Sequence, residues 1–414
     1  MLLRAGRQSF WPPRFFLHAE RARYAEGGPY NWGSMYVGRS ISRWVTVVLL
    51  CACGVPALGQ VAPNPDLSSV EQQAADAYAQ NRLDDAARLY RQALKSRPDW
   101  AEGWGYLAAS LYSLNRYAEA RDAYRQTAVL TPKNGPSWAY MGFCEYELRD
   151  YRNAFDHLMK AKQLGVGSDV TLLSRLHYEL ALLWDTAGQF DMAMKEIAVL
   201  ATAGDKSPPV IEATGLIVLQ LPIFPYEIPA AKHDLVMKTG EAGWAVNSQH
   251  LEEARRLYKD LVAQHPREAN LHYAYGLTLT VSDQDAAIAE LDKALEVNPR
   301  HVPALIEDSF LCLEAGSLQK SERLARRAME IEPKNYAPHN ILGRILVQTG
   351  HAEKGIAELE TAVKLAPTIA SSHFNLAQAY QKAGKSADAA REFAAFKELD
   401  QAKEGQDGAA EQHP

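Results

Sequence analysis

The sequence predicts an all-α fold, a solenoid of antiparallel helix pairs, and three observations carry that prediction. Prolines recur at a fixed step of thirty-four residues, from Pro98 to Pro132 and again through Pro299, Pro333 and Pro367. A period of that size marks a repeat array. Other residues keep the same beat: Trp104 returns as Trp138, Ala86 as Ala120 and Ala154, Tyr90 as Tyr124, and Gly316 as Gly350 and Gly384. Between these markers, apolar residues fall at three- and four-residue spacing on either side of a polar break, the period of two short amphipathic helices.

One unit shows the logic. In the stretch from Trp104 to Pro132, Trp104, Leu107, Ala108 and Leu111 form the stripe of a first helix, and Ala120, Ala123, Tyr124 and Leu130 that of a second, with Asn115 and Arg116 at the turn. Small residues such as Ala108, Gly142, Gly343 and Ala377 stand where the first helix approaches its partner, because only a minimal side chain lets two backbones come that close. The proline ends the second helix, lacking an amide hydrogen and clashing with a continued turn.

Trp104, Leu107, Ala108, Ala120, Tyr124 and Pro132, then Leu342, Gly343, Leu346, Leu359, Ala362 and Pro367, and finally Leu376, Ala377, Tyr380, Ala389 and Phe393, resemble the tetratricopeptide repeat. That family places Trp, Leu, Gly, Tyr, Ala, Phe, Ala and Pro at fixed offsets along such a unit. The resemblance covers 67–403 and implies a right-handed superhelical solenoid of about nine repeats, opening near Leu67, Ala101, Gly135, Ser174, Leu235, Ala269, Val302, Tyr336 and Ala370. Units four, five and seven read as degenerate; in the seventh, Ser309 and Ser321 replace small apolar residues.

The beat fails from Ser207 to Asp234. There a lone first-type helix over 210–221 precedes Pro222, Pro225 and Pro229, set among Ile223, Phe224, Tyr226 and Ile228, a density no helix accommodates. The segment reads as a plug for the stack or as a docking loop. The resulting layout is an extension at 1–34, a signal peptide at 35–59, repeats one to four over 60–206, the connector at 207–234, repeats five to nine over 235–403, and a polar tail at 404–414.

The signal reading rests on Arg39 and Arg43, the apolar run from Trp44 to Cys53, and the small-residue end at Ala57, Leu58 and Gly59. Export to the periplasm or outside the cell is therefore expected, with Met35 as the natural start and no membrane span in the mature chain; a retained anchor is the competing reading. The run is short for a span, and Pro56 interrupts it. The pattern is that of a bacterial exported member.

Composition narrows the function. Hydrophobic residues make up 47% and charged ones 23%, an ordinary balance. Residues before Gln60 hold seven Arg against Glu20 and Glu26, leaving 37 Lys and Arg against 48 Asp and Glu, a balance of −11, for the remainder. A nucleic-acid groove needs the opposite sign. Cys144 and Cys312 fall in distant repeats and read as buried thiols.

No HExxH, paired CxxC or GxSxG is present, so no catalytic residue, metal ligand or cofactor is expected. His339 and His373 take the place that Trp104 and Trp138 hold, which assigns them to packing. In tetratricopeptide arrays the first helices line the concave face, and the resemblance thus implies a partner-binding set. It comprises an aromatic wall of Tyr106, Tyr112, Tyr140, Phe143, Tyr146 and Tyr178, and a polar ladder of Asn340, Arg344, Gln348, Asn375, Gln378 and Lys382. The expected function is a non-enzymatic scaffold for a protein or extended peptide. The alternative is an envelope or secreted enzyme using Glu212, Glu227, His233 or Asp234.

Overall fold

The computed structural model describes residues 69–410. The extension at 1–34, the signal segment at 35–59 and the end of the tail lie outside the described residues. Among those described, every regular element is helical, and they fall into two compact units.

The N-terminal unit comprises 69–217 and 221–233. It holds four helix pairs: α1 (Ser69–Ala79) with α2 (Leu83–Ser96), α3 (Ala101–Ser113) with α4 (Tyr117–Leu130), α5 (Gly135–Glu147) with α6 (Tyr151–Leu164), and α7 (Val170–Thr186) with α8 (Phe190–Thr202). An unpaired α9 (Pro208–Val218) follows. The C-terminal unit comprises 218–220 and 234–410 and holds five pairs. These are α10 (Ala230–Asn247) with α11 (Leu251–Gln264), α12 (Ala269–Leu279) with α13 (Gln284–Val297), α14 (Val302–Glu314) with α15 (Leu318–Ile331), α16 (Tyr336–Gln348) with α17 (Ala352–Leu365), and α18 (Ala370–Lys382) with α19 (Ser386–Ala410). In the eight pairs other than α10 with α11 the two helices pack on each other, and within each unit successive pairs stack. The last helix runs past the expected end of the repeats to Ala410.

Counting each repeat from 1, with Ala101 opening the second, shows how the turns are made. The residue at position 15 is left-handed in eight repeats: Asn81, Asn115, Arg149 and Gln249 at φ of 57° to 63°, and Gly188, Gly316, Gly350 and Gly384 at 69° to 83°. A side chain in this region crowds the following carbonyl, so glycine is the unstrained choice and Arg149 and Gln249 are costly. The sixth repeat is one residue shorter; there Asp283 is extended and caps α13 by accepting from the Ala286 amide at 3.0 Å.

Positions 8 and 20 form the crossing within each pair. Ala108 meets this requirement with Ala120, Gly142 with Ala154, and Gly343 with Gly355, and a Cβ on Gly343 would lie 2.6 Å from Leu359 Cγ and 2.9 Å from the Gly355 carbonyl oxygen. The seventh repeat keeps the close crossing with a serine on each helix. Its Ser309 hydroxyl donates to the Ser321 carbonyl at 2.7 Å, and the Ser321 hydroxyl donates to the Ser309 carbonyl at 2.6 Å. Two buried hydroxyls are thereby satisfied by the backbone they cross.

Position 4 ties neighbouring repeats. The indole N–H of Trp104 donates to the carbonyl of Pro98 at 2.9 Å, and that of Trp138 to Pro132 at 3.0 Å. His272, His339 and His373 make the same bond through Nε2 to Pro266, Pro333 and Pro367, at 3.2, 3.2 and 2.9 Å. A carbonyl only accepts, so Nε2 carries the hydrogen. Nδ1 then meets a second-helix carboxylate at 2.7 Å: Glu290, Glu358 and Glu392 in turn. Packing alone was the expected role of His339 and His373; each is also a two-sided hydrogen-bonded clasp.

The connector folds onto the N-terminal unit. Phe224 is buried with its ring 4.4 Å from that of Tyr151 and 6.0 Å from that of Tyr146, and Tyr226 stacks on Phe224 at 5.5 Å while its hydroxyl lies 3.2 Å from that of Tyr151. The Arg149 guanidinium lies over Tyr226.

Candidate binding surface

On each first helix, positions 2, 5, 6, 9, 12 and 13 make the inner stripe; at position 12, Tyr112 and Tyr146 also meet Tyr117 and Tyr151 of the partner helix, at 5.5 and 5.4 Å. In the N-terminal unit the stripe is aromatic but not a bare wall. Tyr106 stacks on Tyr90 of the preceding repeat at 5.6 Å, and Tyr140 stacks on Tyr124 at 5.4 Å, with interplanar angles of 11° and 13°. Each of these two tyrosines is half-buried and backed by a ring. Offset ring pairs of this kind contribute about 0.5–1.5 kcal/mol beyond the area buried.

Phe143 departs from the expectation of an open groove residue. It is 0% exposed, because Arg175 of the next repeat lays its guanidinium over the ring at 4.4 Å. Tyr112 is 9% exposed, lies under the same guanidinium and accepts a hydrogen bond from it. Tyr146 is half-buried beside Phe224, and Tyr178 is half-buried on α7. Burial pushes the Tyr140 hydroxyl up to about 12 and that of Tyr112 well above its ordinary range.

Arg175 is the residue that sequence reasoning missed. Its Nε donates to Glu179 at 2.7 Å and a terminal nitrogen donates to Glu147 at 3.0 Å. Glu179 sits one helical turn on, and burial pushes its carboxyl up to about 7 against the pull of Arg175. The available signal was a cation and a carboxylate four apart among the leucines of α7. Near the end of the same helix lies Asp185, wholly buried, with neither carboxylate oxygen hydrogen-bonded; burial pushes it up to about 8.

In the C-terminal unit the polar ladder is partly spent on itself. The Asn375 amide donates to Asn340 Oδ1 at 2.8 Å, and the Asn340 amide donates to the Ser372 hydroxyl at 2.9 Å, leaving Asn340 8% exposed. Arg344 donates to Glu314 at 2.6 Å and lies over Phe310. Gln348, Gln378 and Lys382 are exposed. Earlier in this unit, His301 caps α14 by accepting from the Ala304 amide at Nδ1 and donates through Nε2 to Asn270 at 2.8 Å; burial pushes it down to about 4.

The four carboxylate and histidine candidates of the connector do not converge. Glu227 accepts from the Phe224 amide at 2.8 Å and so closes the turn, Asp234 pairs with Lys238 on its own helix, and Glu212 meets His233 at 3.1 Å with the imidazole half-exposed. Among the described residues, no group of three His, Cys, Asp or Glu is placed to hold a metal ion, and no helix is long and apolar enough to cross a membrane.

Stacked helix pairs with a small-residue crossing, and with a clasp at the boundaries that Trp104, Trp138, His272, His339 and His373 occupy, define a helical-repeat protein. Residues 72–135 in the N-terminal unit and 342–404 in the C-terminal unit match the family model described as tetratricopeptide repeat, so each unit carries tetratricopeptide repeats. Over 128 residues it is 28% identical to the mitochondrial import receptor subunit TOM70 of Mus musculus, covering 30% of this chain and 21% of that protein. Against TOM70 of Homo sapiens the identity is 27% over 122 residues, 29% of this chain and 20% of that one. The chain thus spans about a fifth of the length of these curated relatives. Among solved structures, MamA from Desulfovibrio magneticus RS-1 is 21% identical with a TM-score of 0.37, covering 40% of this chain and 94% of that one. The hetero-tetramer Cut9–Hcn1 of the APC/C is 13% identical with a TM-score of 0.38, covering 80% of this chain and 87% of that one.

Proposed function

We propose that this chain is an exported, non-enzymatic scaffold that holds a protein partner, as an extended segment, against the inner stripe of its first helices. The observation that carries the reading is the pair Tyr106 and Tyr140. Each keeps part of its ring open and is held from behind by a stacked tyrosine. Rings fixed before the partner arrives lose little side-chain entropy on binding, which is why aromatic anchors dominate interface energies.

The test is an affinity pull-down of the natively exported protein, followed by titration of the captured partner against the Tyr106→Ala, Tyr140→Ala double variant. A loss of about 2 kcal/mol or more is expected. Equal binding by a double variant that keeps its helical circular dichroism overturns the reading.

Export rests on the ordered basic, apolar and small-residue segments between Arg39 and Gly59. N-terminal sequencing of native protein is expected to start near Gln60. An intact Met1 in a cytosolic fraction refutes it.

A further inference from the structure

Position 6 of the inner stripe carries a glutamate in both units, and the two are treated differently. Glu179, at position 6 of the fourth repeat, is buried and bonded to Arg175 at position 2, four residues earlier. Glu307 takes position 6 of the seventh repeat and is buried to a similar degree, 8% exposed, but position 2 there is Pro303. Proline offers no cation.

The rest of the stripe does not repair the deficit. Pro303, Glu307, Phe310 and Glu314 follow one another at four- and three-residue steps, hence along one face of α14. Glu314 has the Arg344 guanidinium from the next repeat, which also covers Phe310. Arg344 is committed there. Opposite this stripe, Ser309 turns toward α15 through its bonds to Ser321, which fixes Glu307 on the side away from the partner helix. Among the described residues Glu307 has neither a hydrogen-bond partner nor a cation, and burial pushes its carboxyl up to about 7. An unpaired carboxylate in such a place is unfavourable until a positive charge arrives.

We infer that Glu307 is the receiving carboxylate for a basic side chain, lysine or arginine, of an extended peptide lying along the inner stripe of the C-terminal unit. The inference rests on the peptide-scaffold reading and specifies the partner's chemistry at one point. A slender carbon stem ending in a charge is the shape that reaches a recessed carboxylate, its methylenes resting on Phe310 and its head replacing the cation that Arg175 supplies to Glu179.

The experiment uses the full chain and a synthetic library of twelve-residue peptides, each with one central lysine in a varied Leu, Tyr and Ser context. Matched peptides carry norleucine in the lysine's place. The tightest lysine peptide is titrated by fluorescence anisotropy against wild type, Glu307→Gln and Pro303→Arg. Norleucine is expected to weaken wild-type binding tenfold or more. Glu307→Gln is expected to lose the same factor for the lysine peptide and nothing for the norleucine peptide, the coupling expected of a direct pair. Pro303→Arg, which restores the arrangement of the fourth repeat, is expected to abolish lysine preference while leaving the glutamate in place. It keeps the test alive if Glu307→Gln does not fold. Lysine preference that survives in either folded variant overturns the inference and leaves the scaffold reading standing. Failure of wild type to bind any library peptide overturns both.

Discussion

Adding one methyl group at Gly343 tests the helix crossing directly. The new Cβ would lie 2.6 Å from Leu359 Cγ and 2.9 Å from the carbonyl oxygen of Gly355, where ordinary contacts are about 3.5–4.0 Å. Leu359 can rotate in part; a backbone carbonyl cannot, so α16 and α17 must separate. Alanine gains about 1 kcal/mol over glycine in helix propensity. Overpacking a tight core costs about 1–3 kcal/mol, and a backbone obstacle places this site at the upper end. The net loss is about 1–2 kcal/mol, or roughly 2–8 °C in a unit of this size. Gly276 is the control, because its added Cβ would meet Leu291 Cγ at 3.1 Å and the Ala287 carbonyl at 3.3 Å. There a shift of a few tenths of an ångström suffices, and gain and cost nearly cancel. Thermal unfolding followed at 222 nm should rank Gly343→Ala well below wild type and Gly276→Ala beside it. A Gly343→Ala midpoint at or above wild type, or equal damage at both sites, refutes the crossing geometry.

Phe143→Ala is expected to destabilise the N-terminal unit by about 3–5 kcal/mol, since the ring is wholly buried beneath Arg175; urea unfolding checks it, and a midpoint within error of wild type counts against that burial. Gln249→Gly should stabilise by up to about 1 kcal/mol by relieving a left-handed side chain at φ 63°, and a lowered midpoint would contradict the strain. Asp185 remains protonated in the fold up to about pH 8, whereas the unfolded chain releases that proton near 4. Its contribution is therefore fully present below the unfolded value and is lost as pH rises toward 8, by as much as about 1.4 kcal/mol per unit. Asp185→Asn should flatten the fall in urea midpoint between pH 5.5 and 7.5, and an unchanged fall refutes the assignment.

The array was legible because its spacing is written in residues with few alternative uses. Pro98 and Pro132 stop helices, and Gly316, Gly350 and Gly384 occupy the left-handed turn that favours them. The same turn at Arg149 and Gln249 was invisible as a rule, since those residues adopt it only under tertiary constraint, whereas Asn115, which tolerates it, was already placed at the turn. Ser309 and Ser321 looked like decay because polarity alone does not reveal a partner twelve residues away. The inner stripe was located by register, but register does not say what stands over a ring. Phe143 is covered by a cation from another repeat, and Tyr106 and Tyr140 are backed by residues sixteen places earlier. The glutamates facing His339 and His373 lie nineteen residues on, a distance that means contact only once both helices are placed.

Those clasps bear on how the C-terminal unit comes apart. His339 joins a carbonyl after α15 to a carboxylate on α17 while standing on α16. An isolated helix pair can form one half of that arrangement, and only its neighbour supplies the other. The free energy held in such a joint belongs to the boundary between repeats, so the smallest piece that melts in one step is larger than a repeat. Amides of α15, α16 and α17 should then exchange with solvent as a block, with protection that drops together when Glu358 is replaced by alanine.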